Sequence, residues 1–292
     1  MKICMLINDV ATEKNFYTTT ALSMKLIEQD HTLYYLTIDD LTYYSGDLMG
    51  GMAWIPSRKK YKSRDEFLIA LREKSERKRI TSKDIDILFL RNDPAKEPET
   101  RPWAKSAGIT FGQMAIRQNV LVLNDPDGLS HALSKFYLKM FPQDVRPKST
   151  ITRNLEEIKE FYQQNDENII IKPLQGSGGT GVFHVSKENI NNLKQIMEAN
   201  SRNGFVIAQQ FLPEARNGDV RVFMLNGEPL VVDGKLAAIN RKPGEGDFRS
   251  NLHAGGSVNK AKVTDRMFEI MQLLKPKLIQ DGMFLVGLDV IG

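Results

Sequence analysis

The sequence predicts an α/β N-terminal domain built on a mostly parallel sheet, followed by an α+β half. Three observations lead there. The chain has 292 residues, which suggests about two domains. Up to Leu123, short apolar strand-like runs alternate with helical patterns, as in a parallel sheet with helices packed around it. The second half holds Asn226-Gly227 between two strand-like runs, a strong hairpin signal.

Taken in order, Lys2–Ile7 is a first strand. Thr18–Glu28 places Ala21, Leu22, Met24 and Ile27 on one helical face. Leu33–Ile38 is a second strand, Asp84–Arg91 a third, Phe111–Gln118 a helix and Val120–Leu123 a fourth strand. Between them, the basic run Arg58–Lys83 is interrupted by Asp65, Glu66, Glu73 and Glu76, and its aromatics are sparse. It reads as a solvated loop and charged helix face, not as a nucleic-acid patch. Further on, Leu155, Ile158, Phe161 and Tyr162 form a helix face. Asn168–Lys172 is a strand ending at Pro173, and Val182–Val185 is another. Ile190, Leu193, Ile196 and Met197 form a further helix face. Phe205–Gln210, Asp219–Leu225 and Pro229–Val232 are strands, Asp265–Gln280 is a helix that Pro276 should kink, and Phe284–Ile291 is a last strand.

Composition narrows the function classes. A 41% hydrophobic and 26% charged chain is ordinary for a globular protein with a sizeable core. A net charge of +4 suits an anionic small ligand but is too weak to argue for nucleic acid. The single cysteine, Cys4, permits no intrachain disulfide and reads as a small buried hydrophobe. No apolar run approaches the roughly 20 residues of a membrane span. A cytoplasmic protein without a membrane partner is the expectation, and a homo-oligomer is compatible with it.

The stretch Gly176-Ser177-Gly178-Gly179-Thr180-Gly181 fits G-x-G-x-x-G, the dinucleotide fingerprint. That fingerprint needs a helix directly after the glycines, so that the helix N-terminus meets the pyrophosphate. Here Val182–Val185 follows, a β-type run. The glycines therefore sit at the tip of a strand–loop–strand unit, and NAD is not expected. Such a tip can still bind phosphate, because its N–H groups converge on anionic oxygens with no Cβ in the way, and Lys172 leads into it. A plain surface hairpin is the alternative.

Four stretches in this order, Ile169–Val185, Ala208–Leu230, Phe248–Gly256 and Gly282–Gly292, resemble the ATP-grasp domain of the prokaryotic glutathione synthetase family. Leu90–Pro94, Asn124–Pro126 and Thr150–Asn154 fall where that family has similar segments. The resemblance implies an N-terminal domain over 1–123 and an ATP-grasp domain over 124–292, with lobes of roughly 124–204 and 205–292. It implies an ATP-dependent carboxylate–amine ligase using γ-glutamylcysteine and glycine, with ATP and Mg²⁺ (or Mn²⁺). It also implies roles. Lys135 and Lys172 look like the lysines that contact ATP phosphates, and Gly176, Ser177, Gly178, Gly179 and Gly181 like the loop over them. Gln209, Gln210, Phe211 and Leu212 look like the hinge that meets adenine. Asp219 looks like a nucleotide contact and Arg221 like a phosphate contact. Arg241, Arg249 and Asn251 look like groups serving the peptide and the acyl phosphate. The run from Pro243 to Gly256 looks like a lid, and Asp289 like a magnesium carboxylate.

Each has a structural alternative. Asp219 and Arg221, two apart on a strand, could be an ion pair, and Lys135 could be helix surface. Asp289 in an apolar strand needs a cation or hydrogen-bond donors if buried. The chain also departs from the family pattern. Ile7-Asn8-Asp9-Val10 stands where the family usually has Met-Asp-Pro, and Leu133-Ser134 stands where it usually has Asn-Glu. The Glu-x-Asn pair expected after Asp289 does not follow, so the sequence reads as a piece of a longer protein or an inactive copy. A ligase making a different peptide and a non-catalytic ATP-binding protein stay open beside the first reading.

Overall fold

A computed structural model describes residues 1–176, 178–202, 204–244 and 257–292. The chain divides into two compact units, Met1–Ser130 and His131–Gly292.

The first unit runs β1 (Lys2–Ile7), α1 (Thr18–Glu28), β2 (Thr32–Thr37), β3 (Leu41–Tyr44), β4 (Leu48–Ile55), α2 (Arg64–Glu73), β5 (Glu76–Thr81), β6 (Ile87–Leu90), α3 (Ala104–Arg117) and β7 (Leu121–Leu123). It ends in α4 (Pro126–Ala132), which crosses the unit boundary. β2, β1, β6 and β7 are parallel neighbours. β1 is buried from Ile3 to Ile7, as a strand covered on both faces must be. Cys4 lies in that core with Leu36, Leu88 and Ala115, fully buried as expected.

The sequence did not reveal the other edge. β3, β4 and β5 form an antiparallel extension joined to β2 through Tyr35 and Trp54. Thus residues 76–81, expected within a solvated segment, form a strand in which Glu76 to Arg79 are exposed and Ile80 is buried. The preceding charged helix, α2, does bury one face through Phe67, Leu68 and Leu71, as a helix face should.

The second unit contains β8 (Ser149–Thr152), α5 (Leu155–Gln164), β9 (Ile169–Pro173), β10 (Phe183–Val185), α6 (Leu193–Ser201), β11 (Val206–Gln210) and β12 (Asp219–Leu225). Then come β13 (Glu228–Pro229), β14 (Val231–Val232), β15 (Lys235–Leu236), β16 (Ala238–Lys242), β17 (Ser257–Lys260), α7 (Asp265–Gln280) and β18 (Leu285–Val290). One sheet has the order β10-β9-β11-β8, all antiparallel. On one face, Ile169, Ile171, Val206 and Ala208 pack with Ile158 and Phe161 of α5 and Leu193 and Ile196 of α6. Strand alternation then puts Ile170, Lys172, Ile207 and Gln209 on the opposite face.

A second sheet joins β13, β12, β16 and β17, with β18 on the other side of β12. The β12–β13 hairpin turns on Asn226 and Gly227, at φ 49° and 75°, as a type I′ turn requires. The expected strand Pro229–Val232 is broken: β14 leaves to pair with β15 around Asp233 and Gly234, a second left-handed pair at φ 49° and 71°. α7 runs on through Pro276.

Gly218, just before β12, has φ +102°, and a Cβ there would lie 2.2 Å from the Arg241 carbonyl oxygen. Gly218→Ala should therefore combine left-handed strain with a backbone clash, together roughly 2–5 kcal/mol. A melting temperature that drops by less than about 4 °C in a thermal scan would contradict this.

Candidate active site

Two groups of side chains stand out in the second unit. The first surrounds the glycine loop between β9 and β10. The loop is followed by a strand, not a helix, as the sequence implied. Gly176, Gly178, Gly179 and Gly181 have φ of 104°, 76°, 78° and 71°. L side chains strain in that region, so four such residues in one loop need glycine. Ser177 lies outside the described residues.

Two ammonium groups sit at the loop's base. Lys172 Nζ donates to Gln209 Oε1 at 2.6 Å. Lys135 Nζ donates to the Pro173 carbonyl at 3.0 Å and the Gly176 carbonyl at 2.8 Å. Among the described residues, no carboxylate pairs with either. Burial pushes the Lys172 ammonium down to about 8, and the charge of Lys135 pushes the same way. Burial also lowers Lys135. Two desolvated cations without an anion, beside a glycine tip, form a site that a polyphosphate would neutralise. Lys135 lies on a 3₁₀ segment and is tied to the loop by these two hydrogen bonds.

β11 leads out of this sheet. Gln210 is held by its N–H to the Lys148 carbonyl at 2.9 Å, and Phe211 by its N–H to the Asn168 carbonyl at 3.3 Å. Phe211 is buried and stacks on His184 with ring centroids 4.4 Å apart. Leu212 then opens a 3₁₀ turn over Pro213–Asn217.

The second group lies across the five-stranded sheet. The register sets Asp219 opposite Arg241 and Arg221 opposite Asp289. Arg241 grips Asp219 through two bonds of 2.7 and 2.8 Å and reaches Asp289 at 2.7 Å. Arg221 grips Asp289 at 2.7 and 2.8 Å. Asp219 and Arg221 thus pair across strands and not with each other. Burial would raise the Asp289 carboxyl, but the Arg221 and Arg241 guanidinium groups hold it below its usual range.

Both Asp289 oxygens are engaged by arginine, and among the described residues no three His, Cys, Asp or Glu side chains gather as a metal site. Alone, the described residues therefore do not fit a magnesium ion. Arg249, Asn251 and most of the expected lid lie outside the described residues, as do 245–256 altogether.

Sequence reasoning missed two residues here. Asn200 on α6 is buried, its Nδ2 has no partner among the described residues, and its Oδ1 stands 2.8 Å from where a Cβ on Gly181 would be. Tyr137 donates to Asp281 Oδ2 at 2.8 Å, tying the Lys135 segment to the end of α7. Neither carries a motif: Asn200 looks like any helix-end asparagine, and Tyr137 and Asp281 are 144 positions apart.

An N-terminal α/β unit followed by an antiparallel sheet with a glycine tip and a second antiparallel sheet, with the family models that match it, makes this an ATP-grasp ligase, an enzyme class that forms C–N bonds at the expense of ATP. Solved structures share the fold. The D-cycloserine synthetase DcsG superposes with a TM-score of 0.63 at 12% identity, covering 99% of this chain and 86% of its own. The D-alanyl-alanine synthetase A of Vibrio cholerae does so with 0.58 at 12% identity, covering 99% and 84%. Residues 1–130 match the family model "Prokaryotic glutathione synthetase, N-terminal domain" and residues 134–292 match "Prokaryotic glutathione synthetase, ATP-grasp domain". The chain belongs to the prokaryotic glutathione synthetase family. The glutathione synthetase of Synechococcus elongatus is 31% identical, over 100% of this chain and 88% of its own length. That of Thermosynechococcus vestitus is 41% identical over 60% of this chain and 53% of its own. Among the described residues no helix is long and apolar enough to cross a membrane.

Proposed function

We propose that this ATP-dependent ligase joins γ-glutamylcysteine and glycine to give glutathione, ADP and phosphate. The observation that carries the nucleotide half is the half-buried pair Lys135 and Lys172 at the root of the glycine loop, with no acidic partner among the described residues. In this reading the cysteinyl carboxylate attacks the γ-phosphorus of ATP, the bond to the β–γ bridging oxygen breaks, and ADP leaves. The glycine amine then attacks the acyl carbon and phosphate departs, the amine losing one proton. No enzyme nucleophile is needed. The protein's contribution is to hold charge and reactants in place.

Lys172 and Lys135 hold the phosphates. Gly176 to Gly181 supply N–H groups over them, and Gln209 to Leu212 form the edge against adenine. Arg221 and Arg241, positioned by Asp289 and Asp219, steady the acyl phosphate, with Arg249 and Asn251 assigned to the same task. We place the boundary between the N-terminal and ATP-grasp domains near Leu123–Asn124, a few residues before the division of the two compact units at Ser130 and His131. A cytoplasmic location accords with ATP as a substrate.

The test is to incubate the protein with ATP, Mg²⁺, γ-glutamylcysteine and glycine and to follow ADP and glutathione. ADP formed only with another acceptor amine would assign a different peptide product. Nucleotide binding with no ADP under any pairing would overturn the ligase reading.

A further inference from the structure

The first unit holds a polar cluster that the ligase reading leaves unused. In its sheet the chain order reverses about β1: β2 lies on one side, β6 and then β7 on the other. Loops leaving the carboxyl ends of β1 and β6 diverge there, and in open α/β sheets that crevice is where ligands bind. The two loops are stitched by Asn8. Its Oδ1 accepts from the Asp93 N–H at 2.7 Å, and its Nδ2 donates to the Asp93 carbonyl at 3.0 Å and to Glu97 Oε1 at 2.6 Å.

Glu13, on the loop after β1, is only 7% exposed, and its Oε2 has no hydrogen-bond partner among the described residues. Burial pushes its carboxyl up to about 7, against the pull of three cations, Arg91, Lys96 and Arg72. Among the described residues none of the three is ion-paired. Arg91 donates its Nε to Thr19 Oγ1 at 3.2 Å, and Lys96 reaches the Tyr17 hydroxyl at 3.0 Å. Arg72 is spent on the backbone, on the carbonyls of Val10, Ala11 and Glu13. A buried carboxylate oxygen without a donor is costly, and native proteins seldom leave one so. A donor from outside would satisfy it. Arg91 and Lys96 in turn have charge to offer an anion.

We propose that this switch point binds the head of an α-amino acid, the ammonium on Glu13 and the carboxylate on Arg91 and Lys96. One acceptor with no donor beside two cations with no anion is the complement of a zwitterion. A simple anion would leave Glu13 unsatisfied, and a simple amine would leave the cations so. Two sources share this chemistry, the glutamyl end of γ-glutamylcysteine and free glycine; naming them as probes rests on the ligase reading.

Calorimetric titration of the intact protein separates the outcomes. The probes are γ-glutamylcysteine, glycine and glutaryl-cysteine, which keeps the carboxylate but lacks the α-amino group. Glu13→Gln keeps the shape and removes the charge. In the wild type, loss of the amino group should weaken binding at least about tenfold, the worth of a charged hydrogen bond. In Glu13→Gln, γ-glutamylcysteine should fall to the level of glutaryl-cysteine, which itself should not change. If glycine and not the dipeptide shows the Glu13 dependence, the amine substrate is the occupant. Equal wild-type affinity for the dipeptide and its deaminated analogue, with no Glu13 dependence for glycine, overturns the site. So does discrimination that survives in a Glu13→Gln variant of unchanged melting temperature. Failure of the ligase reading looks different: the Glu13-dependent binding persists, but ATP and the second substrate release no ADP.

Discussion

Lys172→Ala should weaken ATP binding by roughly 10- to 150-fold, the equivalent of about 1.5–3 kcal/mol for one hydrogen bond to a charged group. Lys172 sits on the sheet face opposite the helices, across from Ile207, with Gln209 Oε1 its one acceptor among the described residues. Burial and Lys135 have already lowered its pKa to about 8, so the free protein holds this ammonium at a cost. Phosphates remove that cost by restoring a counter-charge. The pH dependence follows with a definite sign. Below about 8 Lys172 is charged in the free protein and nucleotide affinity should be flat. As the pH rises through about 8 the free enzyme loses the proton that the complex retains, so affinity should fall by up to about tenfold per pH unit. Titration with a non-hydrolysable ATP analogue across this range reads both effects. The alanine variant should lose the slope along with the affinity. A variant that binds as tightly as the wild type, or keeps the slope, would show that the phosphates lie elsewhere.

The part of the site around Lys172 was legible because it is local. Ile169 to Val185 holds a strand, four glycines and a second strand within a short stretch, and the absence of a helix after Gly181 separates it from a dinucleotide turn without any tertiary information. The β3–β5 extension was hidden for an equally physical reason. Gly50 and Gly51 lie inside β4, where neighbouring backbone comes too close for a Cβ: the Ile80 carbonyl oxygen would stand 2.1 Å from one and the Asp40 carbonyl oxygen 2.2 Å from the other. β5 was hidden because its charged residues point to water and only Ile80 marks the buried side. The arginine–carboxylate network was legible only in its members. Asp289 looked like a carboxylate in need of a cation or hydrogen-bond donors, and two guanidinium groups supply both. They come from strands 68 and 48 positions away by subtraction (289 − 221 and 289 − 241), a register that no local pattern encodes.

That network supports the other large effect. Arg241→Met should destabilise the protein by about 3–5 kcal/mol, whereas Arg221→Met should cost about 1 kcal/mol or less. The difference is burial. Arg241 and Asp219 have side chains only 11% and 12% exposed, while Arg221 and Asp289 are 38% and 40% exposed. Removing Arg241 strands the Asp219 carboxylate in the sheet with no described side-chain partner and takes one of two cations from Asp289. Removing Arg221 leaves Asp289 still held by Arg241, near enough to water to be solvated. At about 2–4 °C per kcal/mol for a unit of this size, the melting temperature should drop by roughly 6–20 °C in the first variant and by no more than about 4 °C in the second. Both should lose turnover if the arginines steady the acyl phosphate, so activity alone cannot separate the roles; stability can. The decisive control is the double variant Asp219→Asn, Arg241→Met. It removes the stranded charge, so it should recover much of the lost stability while staying inactive. Equal losses in the two arginine variants, or no recovery in the double variant, would mean that Arg241 holds the sheet by packing and not by neutralising Asp219.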